Sequence, residues 1–252
     1  MLKRGRKAQV SLFIIIGIVL IAAILIIGFA RKPKISPAIT PERITIESCI
    51  KNSVENALEI MLPQGGYINP KLYYTFKNTK VAFLCYNEGF YRPCINQEPL
   101  YMKHLESEIK EYIEPRIKDC FEAMEQDYRD RGYNVQTTPI NIGVNIELNR
   151  IKVLINKTIT ISKAEETQVF SNFDLNIPSR LYSLARVANE IVEQESKFCN
   201  FEYLGYMLVH PEYEITKNVI GTETSIYEIT DKESRQKLNI AIRSCAFPPN
   251  GM

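Results

Sequence analysis

The longest apolar stretch runs from Val10 to Ala30, VSLFIIIGIVLIAAILIIGFA, with no ionisable side chain and fifteen positions that are Ile, Leu, Val or Phe. About twenty residues rising ~1.5 Å each cover the ~30 Å hydrocarbon core of a bilayer. The pattern predicts a transmembrane helix over 10–30, preceded by a basic cytoplasmic leader, 1–9, that carries Lys3, Arg4, Arg6 and Lys7. Pro33, Pro37 and Pro41 punctuate 31–41, which reads as a semi-rigid stalk. Beyond it, 42–252 has the texture of a folded domain.

Within that domain the period of the apolar positions changes several times. From Glu42 to Leu62, Ile44, Ile50, Val54, Ala57, Leu58 and Met61 recur at helical spacing, and Pro63 ends the run. Gln64-Gly65-Gly66-Tyr67-Ile68 follows as a turn. Lys71–Phe76 and Lys80–Tyr86, rich in Tyr, Phe and Val, read as strands. Leu100–Arg129 is helical by period, with Pro115 expected to kink or split it and Gly132 to close it. Then Tyr133–Thr138, Asn141–Leu148 and Ile151–Ser162 alternate as strands, the last two linked by the hairpin turn Asn149-Arg150. Thr167–Phe173 reads as a further strand, and Pro178–Phe198 as a helix opened by its proline. Glu202–Val209 fits no single pattern, while Tyr213–Ile220, Thr224–Thr230 and Leu238–Cys245 alternate again. Hairpins between helices, without βαβ repeats, predict an α+β class: a transmembrane helix, then three main helices packed on one largely antiparallel β-sheet.

Composition adds the compartment. The net charge of +2 comes from the flanks of the apolar run, so the body is close to neutral or slightly acidic and nucleic acid is not an expected partner. Four basic residues before the span and three after it favour a cytoplasmic N-terminus and an extracytoplasmic domain at the cell membrane. Six cysteines lie in the body and none in the span, without metal-site spacing, which suits an oxidising compartment. Six cysteines admit fifteen full pairings. We favour Cys85–Cys94, Cys49–Cys120 and Cys199–Cys245. Asn156-Lys157-Thr158 is the one N-x-S/T sequon, with Asn156 the candidate glycan acceptor.

Two resemblances follow. Arg6-Lys7-Ala8-Gln9-Val10-Ser11 resembles the class III leader of archaeal pilin-like proteins, which implies cleavage between Ala8 and Gln9 and retention of the apolar helix. The glutamate that such pilins carry early in the mature helix is missing, and Phe13 stands nearby. The helix after the stalk, the turn Leu62-Pro63-Gln64-Gly65-Gly66-Tyr67-Ile68 and a later helix like Ser179–Glu195 resemble, in that order, a group of uncharacterised archaeal single-pass membrane-anchored proteins. That resemblance implies no activity.

Catalytic patterns are absent from the sequence. The two histidines, His104 and His210, match no HxxxH, HExxH or triad spacing, and Gly65-Gly66 has no phosphate-loop context. His104, beside Lys103 and Glu106, is expected on a solvated helix face, His210 in a turn before Pro211, and Glu106, Glu108, Glu111 and Glu114 on a solvated face. No catalytic residue, metal ligand or cofactor is therefore assigned. Tyr67, Tyr73, Tyr74, Tyr86 and Tyr91, with Phe76, Phe83 and Phe90, are candidates to line a groove for an extended ligand. The favoured function is a membrane-anchored extracytoplasmic binding or scaffolding domain. The alternatives are a pilin-like subunit of a surface filament or secretion apparatus, and an anchored extracellular enzyme. The expected partners are the lipid bilayer and surface or pilus-like assembly proteins.

Overall fold

A computed structural model of the chain describes residue 21 and residues 40–89 and 92–245. The leader with Ala8 and Gln9, the expected transmembrane helix except residue 21 and all but the end of the stalk lie outside these residues. Among the described residues no helix is long and apolar enough to cross a membrane.

The chain order is α1 (Thr40–Met61), β1 (Tyr73–Phe76), β2 (Thr79–Tyr86), β3 (Ile95–Asn96), α2 (Tyr101–Asp130), β4 (Asn134–Thr137), β5 (Asn141–Glu147), β6 (Arg150–Lys163), β7 (Glu166–Pro178), α3 (Leu181–Phe198), α4 (Tyr203–Val209), β8 (Tyr213–Ile220), β9 (Thr224–Asp231) and β10 (Lys237–Arg243). The class is α+β, as the pattern predicts. The detail differs in three ways.

Two sheets replace the single one expected. The first runs β1-β2-β10-β9-β8, with β3 also on β2, and it is mixed because β2 and β10 pair in parallel. The second is antiparallel: β6 pairs along its length with β7, and its other partners are β5 and β4. Among the described residues four helices replace three, because the apolar run after Glu202 coils into the short α4 with Met207 turned onto β8, where it accepts the Ile215 N–H at 3.1 Å. Pro115 does not split α2, which is continuous from Tyr101 to Asp130. Its apolar stripe, Leu105, Ile109, Ile113, Ile117 and Phe121, is buried on both sides of the proline. That packing offsets the roughly 3 kcal/mol a mid-helix proline costs. Pro178 likewise ends β7 and does not open α3; the Leu181 N–H is taken by the Ser179 hydroxyl instead.

The strongest alternation in the sequence becomes the clearest register. Ile142 faces Ile155, Val144 faces Val153 and Ile146 faces Ile151 across the β5–β6 hairpin, and Asn149 takes φ 64° in its turn. This apolar face packs on α2, while α3 lies against strands of both sheets. Where β6 bulges between Ile155 and Thr158, Lys157 is buried 3.0 Å from Glu125 of α2 and donates to the Thr138 carbonyl at 3.3 Å.

The cysteines form three pairs, Cys49–Cys120, Cys85–Cys94 and Cys199–Cys245, with Cα separations of 6.6, 5.3 and 5.5 Å. These are the pairs favoured from the sequence. They join α1 to α2, β2 to the loop ahead of β3, and the end of α3 to the residues after β10. Their sequence separations are 71, 9 and 46. Replacing both Cys49 and Cys120 by Ser is expected to cost about 4.4 kcal/mol on the loop-entropy relation, against about 2.6 kcal/mol for Cys85 and Cys94. Urea unfolding of the two double variants checks that order.

Candidate functional site

The turn after α1 builds the pocket. The Gly66 N–H closes back on the Met61 carbonyl at 2.8 Å, and Gly65 and Gly66 take φ of +75° and +86°, which L side chains rarely adopt. Glycine is also required for space. A Cβ on Gly66 would collide with Leu105 and come within 2.7 Å of the Tyr101 hydroxyl. The turn therefore lies flat on the first turns of α2. Both glycine carbonyls are met from that helix: the Tyr101 hydroxyl donates to Gly65 O at 3.0 Å, and His104 Nε2 lies 3.1 Å from Gly66 O.

His104 is consequently not on a solvated face. Its side chain is only 15% exposed, its ring lies 4.1 Å from that of Tyr67, and its Nδ1 is 4.0 Å from Glu98 Oε1. Since the carbonyl of Gly66 can only accept, Nε2 carries the proton there and Nδ1 faces the carboxylate. The Tyr67 hydroxyl donates to the same Glu98 oxygen at 2.5 Å. One helical turn beyond His104, Glu108 accepts the Ile68 N–H at 2.8 Å. Of the other helix acids, Glu106 is not free in solvent either, since it accepts the Ile146 N–H at 3.0 Å. Glu111 and Glu114 stay on the outer face with Ser107 and Lys118.

These groups open into a cavity of about 370 Å³ lined by Tyr67, Asn69, Lys71, Gln97, Glu98 and Glu108, with apolar contributions from Leu72 and Phe83. Burial, then the hydrogen bond and charge of Glu98, then the charge of Glu108, push the Tyr67 phenol above its ordinary value, so it stays a donor. Among the described residues, neither Glu98 nor Glu108 has a Lys or Arg ion-pair partner. The lining offers two carboxylates, two amides, the Lys71 ammonium, the His104 imidazole and the Tyr67 phenol beside the apolar Leu72 and Phe83. Among the described residues no group of three or more His, Cys, Asp or Glu could hold a metal ion.

The expected aromatic groove does not form as one surface. Tyr73 and Tyr74 are successive residues of β1 and point to opposite faces. Tyr74 packs with Phe76, Tyr86 and Ile220 over the buried outer residues Val81, Phe83, Ile226 and Ala241 of the first sheet, and the Tyr86 hydroxyl accepts from Arg243 at 3.0 Å. Tyr67 belongs to the pocket, and Tyr91 lies outside the described residues. His210 is half exposed, 3.5 Å from Glu212. Asn156 is exposed on β6.

A second convergence was invisible in the sequence. Glu195 of α3 is buried, accepts from the Tyr227 hydroxyl and lies 3.1 Å from Lys217 Nζ. It borders a cleft of about 640 Å³ that includes Cys199, Asn200, Thr224 and Cys245. Here the carboxylate is already matched by a cation, so the geometry reads as structural.

No family model, no curated protein and no solved structure matches the chain.

Two outcomes follow from the phenols. Glu98→Gln removes the charge that helps raise Tyr67 and leaves a weaker, neutral acceptor, so Tyr67 ionises at a lower pH, read by tyrosinate absorbance or ring NMR. Tyr101 and Tyr227 are also held well above their ordinary values, chiefly by burial, with nearby acidic groups adding to it. Above about pH 10 the unfolded chain releases phenolic protons that the folded chain keeps. Stability from these groups is therefore complete below pH ~10, and each loses up to about 1.4 kcal/mol per pH unit above it. Denaturant unfolding at stepped alkaline pH measures the slope.

Proposed function

We propose that this chain is a membrane-anchored extracytoplasmic binding or scaffolding domain, held by residues 10–30 on the stalk 31–41, with the Tyr67–Glu98–His104–Glu108 pocket as its ligand site. The observation that carries the reading is the pairing of all six cysteines, with no free thiol among the described residues. Proteins kept in a reducing cytosol rarely hold three structural disulfides. The pocket supports a binding role because its acids have no Lys or Arg ion pair among the described residues and its turn is fixed from both sides. Asn156, exposed on the outer face of the second sheet, is available to carry a glycan in such a compartment.

The pilin-like reading draws on the Ala8–Gln9 bond of the leader and differs in one observable, a mature chain that begins at Gln9. Intact mass of the native protein without reduction reads both questions at once. The expected mass lacks the six hydrogens of three disulfides, and protease added outside intact cells removes the domain. Free thiols throughout, or a domain shielded from that protease, overturn the extracytoplasmic reading.

A further inference from the structure

Four exposed apolar side chains fall between Phe198 and Val209, on and beside α4. Leu208 is 86% exposed, Val209 74%, Phe198 70% and Leu204 58%. Leu204 and Leu208 are one helical turn apart and so share a face. Met207 is turned the other way, onto β8. The neighbouring rings are amphipathic: Tyr203 and Tyr206 are partly exposed, and the His210 ring lies 4.4 Å from that of Tyr206. α4 itself carries no charged side chain, and Lys197 nearby is paired with Glu193.

We propose that α4 is a lipid-contacting foot, whose Leu204, Leu208 and Val209 enter the interfacial zone of the bilayer in which the chain is anchored. The proposal rests on the membrane-anchored reading. One observation favours lipid over a second copy of the chain. The apolar run ends at Ala30 and α1 begins at Thr40. The intervening nine residues reach at most about 30 Å, so the domain meets the bilayer at high effective concentration and weak contact suffices. A short helix with Leu and Val outward, Tyr at its flanks and little net charge is chemistry suited to the headgroup boundary.

The chain contains no Trp, so one introduced indole reports alone. Leu208→Trp and, as control, Leu148→Trp at the exposed β5–β6 turn are made in the full chain and reconstituted in phosphatidylcholine vesicles with and without brominated acyl chains. The expected result is a blue-shifted emission for L208W that loses at least about half its intensity to the brominated lipid, with L148W emitting as in water and unquenched. Emission of L208W as in water, with the chain still floating with the vesicles, overturns the lipid contact and leaves the anchor standing. A blue shift that brominated lipid does not quench and that fades on dilution assigns the face to a second copy and overturns the proposal. A chain that does not float with the vesicles overturns the anchor, and the foot with it.

Discussion

A helix that serves two sheets must be apolar around much of its circumference, and α3 meets that demand with Leu181, Leu184, Ala185, Val187, Ala188, Ile191 and Val192, all buried. It lies against β2, β9 and β10 of one sheet and β5 and β6 of the other. The next position on its stripe is Glu195, four residues after Ile191, so the geometry that buries the apolar residues buries a carboxylate too. An unmatched charge there would cost several kcal/mol. Lys217 and Tyr227 supply the match. They are direct partners across the β8–β9 hairpin, so a one-residue slip of either strand would turn a required group to the outer face. The buried acid thus makes the hairpin's register part of the core.

The three disulfides reinforce joins that local pairing does not provide. Cys49–Cys120 holds α1 to α2. The first sheet closes by pairing β2 with β10, two strands more than 150 residues apart at Phe83 and Ala241. Cys85–Cys94 ties down the loop on one side of that seam, and Cys199–Cys245 ties the residue after α3 to the end of β10 on the other. Long-range joins of this kind carry the largest loop-closure cost, and covalent links lower it by restricting the unfolded chain.

What the sequence made legible is what depends on neighbours in the chain. The period-two run Ile142, Val144, Ile146 against Ile151, Val153, Ile155 specifies its own hairpin, and the stripes of α1, α2 and α3 specify their own buried faces. The parallel β2–β10 seam has no local signal, so one sheet was expected where two exist. Tyr73 and Tyr74 were grouped by composition, although alternation along a strand separates them. His104 was misread for the same reason. With Lys103 and Glu106 around it the position reads as solvated, and only the glycine turn laid across α2 by distant residues changes that. The glycine pair was a visible signal that something approaches closely; nothing in the sequence said that Tyr101, His104 and Leu105 were what it approaches. Nor could Glu98, in a polar connection, be picked out before Tyr67 was placed beside it.

The same constraint makes the pocket rigid before any ligand arrives. The glycine carbonyls of the turn that leads into it are each held by a side chain from α2. The Gln64 amide, donating to the carbonyls of Ile60 and Ile68 at 3.1 and 3.2 Å, clamps the turn from its other side. Glu108 fixes Ile68 and Glu98 fixes Tyr67, so the two acids that face the cavity also hold up its walls. A disulfide joins the helices before and after the turn. The cost of ordering these walls is met during folding. The arrangement also explains why Gly66 cannot be exchanged for even the smallest side chain without cost. Its missing Cβ is the space in which Leu105 and Tyr101 sit, so the turn and the packing of α2 are one contact.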